Sequence, residues 1–116
     1  MKEMDTMAWI YLMVAIVFEI GGTSALKMSQ GFTHLVPSLV IFPAYAVSFV
    51  FLTLAVKVIP ISVAYAVWSG VGTALIAAIG ILWFREPASA MKLVFLGIII
   101  IGVVGLQLSG HAENAR

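Results

Sequence analysis

Four apolar runs of membrane-spanning length, divided by short polar links, constrain this chain more than any other feature. A helix needs about 20 predominantly apolar residues to cross the hydrocarbon core. The runs extend from about Met7 to Leu26, Leu35 to Val56, Ile61 to Phe84 and Leu93 to Leu108. They are punctuated by Lys27 to His34, by the short turn Lys57-Val58-Ile59-Pro60, by Arg85 to Lys92, and by the polar tail after Gly110. Links this short hold no soluble domain. The pattern predicts an all-α membrane protein, with residues 1–116 forming a single domain of four transmembrane helices and both termini on one side.

Composition excludes the soluble alternatives. Hydrophobic residues make up 63% of the chain and charged ones 9%, too few to cover the surface of a soluble enzyme or to keep a disordered tail solvated. A net charge of +1 offers no basic patch for nucleic-acid phosphates. Without cysteine there is no disulfide framework, no thiolate nucleophile and no Cys-ligated metal. Because the hydrophobicity recurs along the whole length, it is not expected to be a removable leader. Met7, where the first run begins, is an alternative start to Met1.

Orientation follows Lys and Arg in short loops. Lys2, Lys57 and Arg116 fall on one side and Lys27, Arg85 and Lys92 on the other. With no bias, either something other than charge orients the chain, or both orientations are inserted, as an antiparallel homodimer needs.

Glu19, near the middle of the first run, is the one ionisable residue inside a span. An acid at mid-bilayer costs on the order of 3 kcal/mol, because burial penalises its charged form. Its helical neighbours are Leu12, Ala15, Gly22 and Thr23. These are mostly small, leaving room for a ligand or a second helix. In the third run Tyr65, Trp68, Ser69 and Gly72 share a face, and in the second so do Tyr45, Ser48 and Phe49. Rings inside spans can serve packing alone. Set against a carboxylate, they supply what a hydrophobic cation needs, namely charge neutralisation and cation–π attraction without a rigid hydrogen-bond pattern. One carboxylate is too few ligands for a metal.

Gly70 and Gly72 permit either a hinge in the third span or close helix packing. In the fourth, Gly102, Gly105 and Ser109 line one face and would let another helix approach. Pro43 has no evident role beyond a kink or a freed carbonyl.

Several stretches resemble the small multidrug resistance transporters: Glu19 with Gly22-Thr23, Leu26-Lys27, Gly31-Phe32-Thr33, Pro37-Ser38, and the long motif Ala64-Tyr65-Ala66-Val67-Trp68-Ser69-Gly70-Val71-Gly72. The resemblance spans about Met7 to Ser109. It implies an antiparallel dual-topology homodimer in the bacterial cytoplasmic (inner) membrane, exporting small organic cations in exchange for protons. The glutamates of both protomers would bind either one, with no cofactor besides the coupling ion H+. In the family's guanidinium-exporting branch a Trp typically stands where this chain has Gly22. Gly22-Thr23 with Tyr45 therefore resembles the multidrug branch, which takes quaternary ammonium and aromatic cations. Multidrug members often have Gly at the position of Phe95, so assembly here is expected to rely on Gly102. A guanidinium exporter and one subunit of a heterodimeric exporter are the alternatives.

On this expectation Glu19 is the proton and cation site, Tyr65 and Trp68 stack on the cation, and Ser69 and Tyr45 adjust its polar contacts. Ala15, Gly22, Thr23, Ser48 and Phe49 line the pocket. Two rivals lie outside the transporter class. A proton-translocating rotor subunit usually needs two spans rather than four. A structural assembly partner would tolerate Glu19→Gln.

Overall fold

The computed structural model describes residues 2–114, with side chains from 6 to 109. Met1 and Arg116 and the side chain of Lys2, which enter the start-site and charge-count expectations, lie outside the described residues. Four helices follow in order: α1 Lys2–Met28, α2 Leu35–Ala55, α3 Ile61–Leu82 and α4 Ala90–Asn114. Each contains a stretch long and apolar enough to cross a membrane: Thr6–Met28, Leu35–Ala55, Ile61–Leu82 and Ala90–Ser109. The protein is an all-α, multi-pass membrane protein.

The helix ends depart from the apolar runs by a few residues. α1 begins at Lys2 rather than near Met7, since Lys, Glu and Met are good helix formers and a helix can continue beyond hydrocarbon. α3 ends at Leu82, two residues before the expected Phe84. α4 starts at Ala90, where the Ser89 hydroxyl accepts the Lys92 N–H at 3.1 Å and caps the first turn. It then continues to Asn114, through most of the expected polar tail. α2 passes through Pro43 without interruption.

The chain divides into two compact units, Met1–Ile59 and Pro60–Arg116. In the first, α1 packs on α2. The Ser48 hydroxyl donates to the Ala15 carbonyl at 2.7 Å, and the Tyr11 and Phe51 rings lie 5.8 Å apart. Leu12, Ala15 and Ile16 on α1 and Ile41, Ser48 and Ala55 on α2 are buried. The α1–α2 link is organised by buried Ser29, whose hydroxyl donates to the Leu26 carbonyl and accepts the Phe32 N–H. The Ser29 carbonyl accepts the N–H groups of Thr33 and His34. These bonds hold Gln30, Gly31 and Phe32 in left-handed backbone at φ 48°, 72° and 65°, an arrangement that costs the two non-glycine residues.

In the second unit α3 packs on α4. Their link turns at Arg85, also left-handed at φ 57°. The next residue, Glu86, sends its N–H back to the Gly80 carbonyl at 2.9 Å, and its carboxylate lies 3.7 Å from the Lys92 ammonium. Glycine suits the Arg85 backbone better, partly offset by its freedom in the unfolded chain. Arg85→Gly is therefore expected to stabilise the folded protein by about 0.5–1 kcal/mol, measurable by denaturant titration in detergent.

Candidate cation site

α1 carries Glu19 and, one turn later, Thr23, so both project from one face. The Thr23 hydroxyl donates to Glu19 Oε1 at 2.7 Å. The Tyr45 hydroxyl of α2 meets the same Thr23 oxygen at 2.8 Å. Glu19, Thr23 and Tyr45 are all half-buried. An in-membrane carboxylate is thus joined through one threonine to a phenol on the neighbouring helix.

Gly22 explains how the phenol gets there. It is buried, and a Cβ built on it would stand 2.9 Å from Cε1 and 3.0 Å from Cδ1 of Tyr45. The ring occupies space that any side chain at position 22 would need. Gly22 is therefore the seat of Tyr45 as well as a close-packing position.

The other expected pocket residues of this unit stand differently. Ala15 and Ser48 meet each other through the hydroxyl–carbonyl bond that ties α2 to α1. Phe49 is exposed.

On α3 the Tyr65 and Trp68 rings form an edge-to-face pair, 5.6 Å between centroids and 85° between planes. Tyr65 is 61% exposed and Trp68 half-buried, so the pair offers ring surface to a neighbouring group. Ser69, the next residue, is exposed. Gly70 and Gly72 are buried within an unbroken helix. A Cβ at Gly70 would overlap the Val103 Cγ2 methyl of α4 and lie 3.3 Å from Ile99 Cγ2. Gly70 is thus a position of close approach between α3 and α4. Gly102, Gly105 and Ser109 of α4 are exposed, and a Cβ on either glycine would meet nothing within 4 Å.

The sequence pattern put Glu19 and Thr23 together but missed two features. The Thr23–Tyr45 bond crosses from one helix to another, which spacing within a run does not report. Ser29 lies in a polar link, where burial is unexpected.

Residues 7–99 match the family described as Small Multidrug Resistance protein. The chain belongs to the small multidrug resistance family. Among its relatives in that family is an uncharacterized membrane protein, YvaE, of Bacillus subtilis. The two are 51% identical over 105 residues, covering 90% of this chain and 88% of the relative. The quaternary ammonium compound-resistance protein QacE of Escherichia coli is 48% identical over 105 residues, 90% of this chain and 96% of QacE. A guanidinium exporter of Citrobacter freundii is 42% identical over 105 residues, 90% of this chain and all of the relative. Small multidrug resistance proteins are transporters, not enzymes, and the names of these relatives divide between two classes of cation.

Proposed function

We propose that this protein is a proton-coupled antiporter that exports hydrophobic quaternary ammonium and aromatic cations across the bacterial cytoplasmic membrane. It works as an antiparallel, dual-topology homodimer. The observation that carries this is the cluster of Glu19, Thr23 and Tyr45, in which a membrane-embedded carboxylate is held by a hydroxyl and flanked by an aromatic ring. Two such carboxylates, one from each protomer, share one site, for which protons and the cation compete. Protons occupy the empty site, and a cation enters as protons leave. Cation affinity therefore falls as pH is lowered and rises as pH is raised.

The remaining groups take supporting parts. Tyr65 and Trp68 give ring surface for cation–π attraction, and Ser69 offers a polar contact beside them. The exposed small face of Gly102, Gly105 and Ser109 suits close approach by the α4 of a second copy. Exchange of the side to which the pocket opens completes the antiport cycle, with the Gly70-Val71-Gly72 segment as its hinge. There Gly70 must part from Val103 as the helix bends.

The guanidinium alternative is favoured by the 42% identity to a guanidinium exporter. Against it stands the chemistry around Glu19. A small planar cation wants hydrogen-bond acceptors beside the carboxylate, whereas the Thr23 proton already points at Glu19. Gly22, moreover, leaves its space to the Tyr45 ring.

Two cations separate these readings in proteoliposomes on a solid-supported membrane. Currents with tetrapropylammonium exceeding those with guanidinium support the multidrug assignment, and currents with guanidinium alone overturn it. Gly22→Ala sharpens the comparison. Its methyl group forces the Tyr45 ring away and breaks the bond to Thr23, so tetrapropylammonium binding is expected to weaken about fivefold, the worth of one ordinary hydrogen bond. Isothermal titration calorimetry in detergent measures it.

A further inference from the structure

Thr23 sits between an acid and a phenol with only one proton to give. That proton goes to Glu19 Oε1. The 2.8 Å contact with Tyr45 therefore has a fixed sense, with the Tyr45 O–H donating to the Thr23 oxygen. The three groups form a directed chain, Tyr45 to Thr23 to Glu19, all of whose donors point toward the carboxylate.

We propose that Thr23 is a positioning residue that transmits the protonation state of Glu19 on α1 to the Tyr45 hydroxyl on α2. This rests on Glu19 being the proton and cation site. With Glu19 ionised, Oε1 accepts from Thr23 and the chain runs as described. When a proton arrives on Oε1, that oxygen becomes a donor to Thr23. Thr23 then turns its own O–H onto the Tyr45 oxygen, and the Tyr45 O–H, keeping its proton, swings to donate to another acceptor. No proton leaves the trio beyond the one Glu19 has gained, and each hydroxyl keeps its own. What changes is the direction in which the Tyr45 O–H points. A titration on α1 is thereby converted into a reoriented phenol on α2, at the helix whose side chain adjusts the cation's polar contacts.

The geometry leaves few other groups to take part. From α2, the element packed on α1, Tyr45 is the titratable side chain that meets this cluster. On α1 itself the nearest are Tyr11, eight residues before Glu19 and about 12 Å along the axis, and Lys27, one turn beyond Thr23 and about 6 Å along the axis. The absence of a side chain at Gly22 admits the Tyr45 ring, whose hydroxyl reaches Thr23. The Ser48 bond to the Ala15 carbonyl fixes α2 against α1 about one turn away. The trio is thus held between two rigid contacts, so hydroxyl rotation rather than helix movement answers the proton.

The test uses full-length protein labelled with 13Cζ-tyrosine, the Tyr45 resonance being assigned by its loss in Tyr45→Phe. In the wild type that resonance is expected to move between pH 5 and 9 with the same midpoint as tetrapropylammonium binding. Thr23→Val, close in shape but without the hydroxyl, removes a donor to the ionised carboxylate. The ionised form is then less favoured, and the binding midpoint moves up by about one pH unit while the Tyr45 resonance becomes insensitive to pH in that range. Thr23→Ser, which keeps the hydroxyl, restores both. A Tyr45 resonance that ignores the binding midpoint in the wild type overturns the proposal, and so does one that still follows it in Thr23→Val. The wild-type arm needs only the assignment variant Tyr45→Phe to fold. Failure of the reading that Glu19 is the proton and cation site shows separately, as cation-driven proton movement that survives Glu19→Gln.

Discussion

Glu19→Gln is expected to abolish cation-driven proton movement, at least a hundredfold below wild type, while the chain still folds and inserts. Glutamine keeps the length and shape of the side chain and an oxygen that can accept the Thr23 proton, so the contacts that hold α1 to α2 survive. What it lacks is a site that alternates between proton and positive charge. A neutral amide at mid-bilayer costs no more to insert than an ionised acid, so expression and stability should not fall. Pyranine-loaded proteoliposomes measure the proton movement, and circular dichroism with thermal unfolding checks the fold. A structural assembly partner, with no transport to lose, would tolerate the change with little effect beyond stability.

Gly70→Ala carries the second large effect, on the α3–α4 pair. The new methyl group has no room, since it would overlap the Val103 Cγ2 methyl with Ile99 close beside it. Val is stiff at χ1, so it cannot swing its methyl aside as a lysine or methionine would, and the helices must separate instead. Overpacking of this kind costs about 1–3 kcal/mol. Denaturant titration in detergent should show that loss for Gly70→Ala. The double variant Gly70→Ala with Val103→Ala should recover part of it, because the two sites are in contact and their effects do not add. If Gly70 acted only as a flexible joint, trimming Val103 would recover nothing.

The four spans were legible because lipid demands long, continuous apolar helices and the links are short and polar. Their ends were less so. Hydropathy marks where hydrocarbon begins, whereas the backbone stops where hydrogen bonds and turn conformations decide. Ser89 capping α4, Arg85 turning the chain after α3 and α4 continuing past Leu108 are all events of that second kind. Glu19 stood out because a charge in a span is costly whatever surrounds it, and Thr23 followed from helical spacing. Tyr45 was legible as an aromatic in a favourable run, but its bond to Thr23 depends on how α2 is rotated and raised against α1, set by Gly22 and by the Ser48–Ala15 bond together. Glycine spacing likewise left a hinge and a packing site open at Gly70, and only the position of Val103 reveals the packing.

Antiport itself is tested most directly by the direction of proton flow. Proteoliposomes containing the wild-type protein and an internal pH dye are given an inward gradient of tetrapropylammonium at equal pH on both sides. Exchange predicts that each entering cation drives protons out, so the lumen turns alkaline at a rate that saturates with cation and vanishes in Glu19→Gln. Cation accumulating in the vesicles with no change of internal pH would contradict it.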